Sequence, residues 1–177
     1  VSPVEISELD IGASANDHTR YYGLFAGTVT DNNDPDSKCR IQVSVPEVLT
    51  NGNTGWCLPA LPYTGDGAGL AAVPPIGTQV WVQWPRGDLS APPIWSGGTY
   101  NGGGAVQGAG PNTVILLTPG GHRLELDDDG TALTITCSQG PVITLDSSGV
   151  SIDNGQGAKI VMQGPKVDVN DGALVVQ

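Results

Sequence analysis

Residues 120–177 read GGHRLELDDDGTALTITCSQGPVITLDSSGVSIDNGQGAKIVMQGPKVDVNDGALVVQ. Apolar and polar residues alternate along this stretch, and clusters of Gly, Asp, Asn and Ser interrupt it every seven to ten residues. Cut at those clusters, each piece carries an alternating apolar pair: Leu124/Leu126, Leu133/Ile135, Ile143/Leu145, Val150/Ile152, Ile160/Met162, Val167/Val169 and Leu174/Val176. Period-two alternation predicts strands with one apolar face. A short unit recurring at near-constant length predicts a stack of similar units. No unit is large enough to bury its own apolar face, and a single chain wound this tightly encloses almost nothing. Several identical chains around one axis resolve the burial problem, with apolar rows meeting on the axis and polar rows in water. About seven layers at the ~4.8 Å interstrand spacing make a rod of roughly 30 Å. The pieces shorten toward the C-terminus, which predicts a narrowing rod.

The composition agrees with a strand-rich protein. Among 177 residues there are 26 Gly and 14 Pro, and aromatic residues make up only 5%. That balance favours short strands and turns over helices. The net charge of −11 opposes long-range attraction to nucleic acid or anionic membranes. No apolar run reaches the length of a membrane helix, and VSPVEISELD at the start lacks the pattern of a signal peptide. Cys39, Cys57 and Cys137 have no metal-ligand spacing. Free thiols are the preferred reading, with a Cys39–Cys57 bridge as the alternative.

Four regions are expected. Residues 1–20 form an N-terminal arm, with Val4, Ile6, Leu9 and Ile11 as its apolar content. Residues 21–100 form a small closed β-barrel of five short strands. RIQVSVP places Ile41, Val43 and Val45 on one face, and GTQVWVQW does the same for Val80, Val82 and Trp84. GDGAGLAAVPPIG is expected as a surface loop between the third and fourth strands. Residues 101–121 read as a Gly-rich linker, in which TVILLT is a strand candidate, and residues 122–177 as a needle. Its axis-facing core is expected to comprise Leu124, Leu126, Leu133, Ile135, Ile143, Leu145, Val150, Ile152, Ile160, Met162, Val167 and Val169.

Candidate chemical sites have plainer explanations. The acidic run at 127–130 offers hard oxygen ligands, but it sits where the repeat predicts a turn. DNNDPD at 31–36 reads as a loop with Asx turns. His122 has no carboxylate or nucleophile nearby in sequence, and Ser147 and Ser148 lie in a turn without a nucleophile-elbow context. Glu5, Glu8, Glu47 and Glu125 form no acid–base pair. Trp56, Trp81, Trp84 and Trp95 are candidates for stacking on bases or sugars, with core packing preferred. No catalytic, cofactor-binding or metal-binding residue is assigned, and no cofactor is expected.

Three further features carry a family resemblance: YYGLFAGTVTDNNDPDSKCRIQVSVPEV with the following WCLPAL, PPIGTQVWVQWPRGDLSAPPIWSGGTYN, and GHRLELDDDG. Together they resemble the central spike proteins of contractile phage tails, type VI secretion VgrG proteins and extracellular injection particles. The resemblance covers residues 20–177. It implies an all-β chain, an OB-fold barrel followed by a trimeric, intertwined β-helix or β-prism needle. The implied function is structural rather than enzymatic: a spike at the baseplate centre that pierces a target envelope. The implied setting is the tail baseplate of a virion or contractile particle, assembled in the bacterial cytoplasm. The implied partners are two further copies, a hub protein at the barrel end, and a PAAR-type tip protein on Leu174, Val175, Val176 and Gln177. The chain departs from its relatives at Cys39, in SKCR, where many carry Gly before the Arg. Some needles hold iron through a terminal His-X-His pair, whereas the histidines here are His18 and His122. The alternative reading is an OB module on a β stalk that binds glycan or single-stranded nucleic acid.

Overall fold

A computed structural model describes residues 19–50, 52–100 and 102–176. The arm expected over 1–20 therefore lies almost wholly outside the described residues. The chain divides into two compact units between Gly103 and Gly104. Both are β-structures, and a single 3-10 turn at Pro85–Gly87 is the one helical element among the described residues.

The first unit contains β1 (Phe25–Asp31), β2 (Gln42–Ser44), β3 (Leu58–Pro59), β4 (Thr64–Gly65), β5 (Ala68–Gly69), β6 (Gln79–Gln83) and β7 (Ile94–Thr99). Five of them form a sheet in the order β2-β1-β6-β7-β3. The sheet curls until its edges meet: Cys57 donates its N–H to the Ile41 carbonyl at 2.8 Å, in an antiparallel bridge. This is the expected OB-type barrel. Its interior is Val29, Ile41, Val43, Val45, Cys57, Val80, Val82, Trp84 and Trp95. The alternation in β6 and the residue that follows it buries Val80, Val82 and Trp84 while Trp81 points the other way, half-buried. Gly27 faces this interior because a Cβ there would press into the Val43 and Val45 side chains. The stretch expected as a plain surface loop holds a small hairpin, β4 with β5. A Cβ on Gly69 would lie 3.0 Å from the Tyr63 carbonyl oxygen, a tight approach that glycine relieves.

Thr54 holds the barrel seam. Its hydroxyl accepts the Val43 N–H at 2.9 Å and contacts the Cys57 sulfur at 3.1 Å, and its own N–H donates to the Val43 carbonyl. Replacing Thr54 by Val keeps the shape but orphans a buried N–H. Such a loss costs about 1–3 kcal/mol. The unfolding free energy of the barrel, read from urea denaturation, is expected to fall by that amount in Thr54→Val and by much less in Thr54→Ser. Burial pushes the Cys57 thiol up to about 11, against a smaller opposing effect of the Thr54 hydrogen bond. Cys57 is thus a packed, neutral thiol, and Cys39 and Cys57 are unbridged.

The 31–40 loop is more than a run of solvated Asx turns. Asp34 accepts the backbone N–H groups of Asp36, Lys38 and Arg40, at 3.0, 2.7 and 3.1 Å, and the Nε–H of Arg40 at 3.0 Å. The Arg40 guanidinium also lies over the Trp56 ring, 5.6 Å from its centroid. These bonds hold Ser37 and Cys39 in left-handed backbone conformations and let the Cys39 carbonyl receive the Trp95 indole N–H at 3.1 Å. The Arg40 hydrogen bond, aided by the backbone donors and opposed by burial, keeps the Asp34 carboxyl far below the usual carboxylate range. A depressed native value means that the unfolded chain binds more protons in acid. The stabilisation is complete above the ordinary aspartate value of about 3.9 and is lost as pH falls toward the native value. Asp34→Asn is expected to be less stable than the parent near neutrality and to show a shallower loss between about pH 5 and pH 2, read from urea midpoints against pH.

The second unit is one eight-stranded antiparallel sheet in sequence order: β8 (Thr113–Leu117), β9 (Arg123–Asp127), β10 (Ala132–Thr136), β11 (Val142–Asp146), β12 (Gly149–Asp153), β13 (Lys159–Gln163), β14 (Lys166–Val169) and β15 (Leu174–Val176). The stacked units of the sequence repeat are thus successive antiparallel strands within one chain. β8 falls in the stretch read as a linker and pairs along its length with β9. The connecting turns are closed by carboxylates: Asp127 accepts the N–H groups of Asp129 and Gly130, and Asp146 those of Ser148 and Gly149. The acidic run at 127–130 therefore performs turn chemistry.

Candidate functional site

The strand register of the second unit generates two unbroken apolar ladders. One runs Leu116, Leu124, Ile135, Ile143, Ile152, Ile160, Val169, Leu174. The other runs Val114, Leu126, Leu133, Leu145, Val150, Met162, Val167, Val176. Within every strand the paired members are two residues apart, so both ladders lie on the same face. All the residues expected to form the needle core fall on these two ladders. A one-residue slip in any hairpin would carry that strand's pair to the opposite face.

Among the described residues of the second unit, none covers this face. Ile135, Leu145, Ile152 and Ile160 sit mid-sheet with hydrogen-bonded neighbours on both sides, yet they remain 41, 41, 39 and 39% exposed. The barrel interior, by contrast, lies at 0–6%. A contiguous apolar surface of this extent marks an interaction face. The ladders contain no ionisable side chain.

The opposite face is polar. Glu125, Thr134, Thr144, Ser151 and Asp168 follow one another across it, interrupted by Ile115, Val161 and Val175. Arg123 grips Glu125 through two hydrogen bonds of 2.9 Å and also reaches the Gln107 carbonyl at 3.1 Å. This ties part of the preceding Gly-rich segment to the start of the sheet. Lys166 pairs with Asp168 at 3.0 Å. The Arg123 hydrogen bond lowers the Glu125 carboxyl, and the Lys166 hydrogen bond lowers that of Asp168. Both carboxylates stay charged on this polar face.

At the C-terminal edge, β15 pairs with β14 alone. Leu174 and Val176 end the two apolar ladders, 58 and 56% exposed, while Val175 stands opposite Asp168 on the polar face. Of the four residues expected to meet a tip partner, Leu174 and Val176 lie on one face and Val175 on the other, and Gln177 lies outside the described residues. Sequence reading missed Val114 and Leu116, which add a layer at the other edge. Their alternation is visible in TVILL, but Ile115 between them and Leu117 after them blur it into a continuous apolar run.

The other singled-out residues are not brought together. His122 is exposed and its Nδ1 accepts the Ser138 N–H at 3.4 Å. Trp84 and Trp95 are consumed by the barrel interior, and Trp56 lies under Arg40. An apolar cleft beside Trp95, lined by Leu61, Leu70, Pro74 and Val80, has no charged side chain in its wall. It offers neither the basic groove nor the stacked aromatic platform that single-strand binding requires.

A curled five-stranded barrel joined in sequence to an antiparallel sheet with one exposed apolar face defines a class: a β-structural protein with a surface suited to assembly. Two family models match the chain. Residues 25–100 match the type VI secretion system/phage-baseplate injector OB domain, and residues 113–175 match the phage baseplate V C-terminal trimerisation domain. Between them they span most of the chain, which belongs to this phage-baseplate and type VI injector spike family. A search of curated proteins found no match. The second match is to a trimerisation domain, so the chain assembles with further copies of itself in a trimer.

Proposed function

We propose that three copies of this chain bring their apolar ladders together on one axis and form the rigid spike at the centre of a contractile baseplate, where it pierces a target envelope on firing. The carrying observation is the ladder face, continuous over the whole sheet and not covered by the described residues of the second unit. The needle core is then Leu124, Leu126, Leu133, Ile135, Ile143, Leu145, Val150, Ile152, Ile160, Met162, Val167 and Val169, extended by Val114 and Leu116. Strands β9 to β14 pair with a neighbour on both sides, which leaves only β8 and β15 as edges. Such a body resists unfolding kinetically, and the load of penetration tests that rate rather than equilibrium stability. The role is mechanical and needs no catalytic group. The polar, carboxylate-bearing outer face limits adhesion before firing. The barrel unit is the proposed seat of a hub protein, and assembly is proposed to take place in the bacterial cytoplasm.

The exposed β15 edge supports a further partner. A strand edge ending two apolar ladders tends to pair with something else. We assign it to a separate PAAR-type tip protein, with Leu174, Val175, Val176 and Gln177 as the contact. A chain lacking residues 173–177 is expected to remain trimeric but to lose co-purification with the tip protein. Undiminished capture by the truncated trimer would place the partner elsewhere. Piercing itself is tested by particles built with an assembly-defective chain: they should contract normally yet fail to release contents from target cells. Full release without the spike would remove the piercing role.

A further inference from the structure

We infer that the 153–158 turn protects its own Asn-Gly pair, Asn154 and Gly155, from deamidation. An Asn followed by Gly is the sequence most open to this reaction, because no side chain hinders the following nitrogen. The Gly155 nitrogen loses its proton and bonds to Asn154 Cγ, and the side-chain nitrogen leaves as ammonia. Water then opens the succinimide to aspartate or to isoaspartate, which lengthens the main chain by one methylene.

Gly155 is there for a steric reason. It is left-handed, at φ +71°, and a Cβ on it would lie 3.2 Å from the Gly140 carbonyl oxygen on the neighbouring turn. The liability thus comes with the fold, and the surrounding hydrogen bonds oppose each part of the reaction. The Gly155 N–H donates to Asp153 Oδ1 at 2.7 Å. This holds the proton that must leave, and the nitrogen anion would form directly against a carboxylate, which disfavours it. Aspartate is far too weak a base to remove an amide proton itself. Asn154 Oδ1 accepts the N–H groups of Gln156 at 2.8 Å and Ala158 at 3.0 Å. Asn154 is fixed at its other end by its own N–H, donated to the Ala158 carbonyl at 3.0 Å. Ring closure requires the side chain to swing toward the Gly155 nitrogen and surrender both accepted bonds.

The turn joins β12 to β13, so an isoaspartate here would disturb the register that pairs Ile152 with Ile160. Durability of one layer of the sheet therefore depends on two side chains that have no place in the ladders.

The test is peptide mapping of the full chain after incubation at mildly alkaline pH, beside a synthetic peptide of residues 149–161 under the same conditions. Asn154 in the full chain is expected to react about tenfold or more slowly than in the peptide, the rate equivalent of about 1.4 kcal/mol. Asp153→Ala in the full chain is expected to raise the Asn154 rate several-fold, with the sheet retained by circular dichroism. Equal rates in chain and peptide would overturn the proposal, as would a folded Asp153→Ala chain that reacts no faster than the parent. Should that variant lose its fold, the comparison of parent chain with peptide decides alone.

Discussion

Ile152→Asp is expected to abolish assembly. Ile152 lies mid-ladder, between Ile143 and Ile160, on the face that no described residue of the second unit covers. In a trimer the substitution places three carboxylates near one axis among apolar neighbours. Removing each from water carries an effective penalty of several kcal/mol, and no cation on the ladders offsets it. Mutual repulsion adds to that, and protonation relieves it only at acid pH. Ile143→Asp is expected to behave alike. The matched control is Ser147→Asp, in the exposed turn between β11 and β12, where the new charge stays in water. Size-exclusion chromatography with light scattering should return single chains for the ladder variants and the parent mass for the turn variant. Equal tolerance of both kinds of change would mean that the inside and outside of the sheet have been exchanged.

Gly149→Ala is expected to have the second largest effect, for a reason that lies in the backbone. Gly149 opens β12 at φ +144°, and a Cβ there would collide with the carbonyl oxygen of Met162 on β13. The obstacle is main chain, so no rotamer change relieves it, and β12 and β13 must separate at the very layer that carries Val150 and Met162. The loss should fall in the tail of single-substitution effects, on the order of 4 kcal/mol per chain. Gly157→Ala separates this clash from ordinary left-handed strain. Gly157 has φ +95° but open space around it, so only the strain of about 1–2 kcal/mol remains. Thermal unfolding should therefore shift far more for Gly149→Ala than for Gly157→Ala.

What was legible in the sequence was the part written in period two. The pairs Leu124/Leu126 through Val167/Val169 alternate without a break, and strand pairing had little freedom except to align them. The barrel interior could be read for the same reason from Ile41, Val43 and Val45 and from Val80, Val82 and Trp84. β8 was harder to read, because four apolar residues in a row hide which pair faces inward. The Asp34 hub was not legible as such. Its donors are backbone N–H groups, whose convergence depends on two left-handed residues, Ser37 and Cys39, that no propensity favours. The division of Leu174 and Val176 from Val175 followed from alternation alone, yet treating the last residues as one contact patch concealed it. The requirement for partner chains could be inferred from the missing core, since a sheet with one apolar face and nothing above it must find a cover. That the partners make a trimer rests on the family match.

The most direct test of the assembly is the mass of the intact protein in solution, measured by light scattering or native mass spectrometry at micromolar concentration. Three chains, persisting through heat and detergent that dissolve ordinary oligomers, is the expected result. A stable, folded single chain would contradict it, because the ladder face would then have to tolerate water along its whole length.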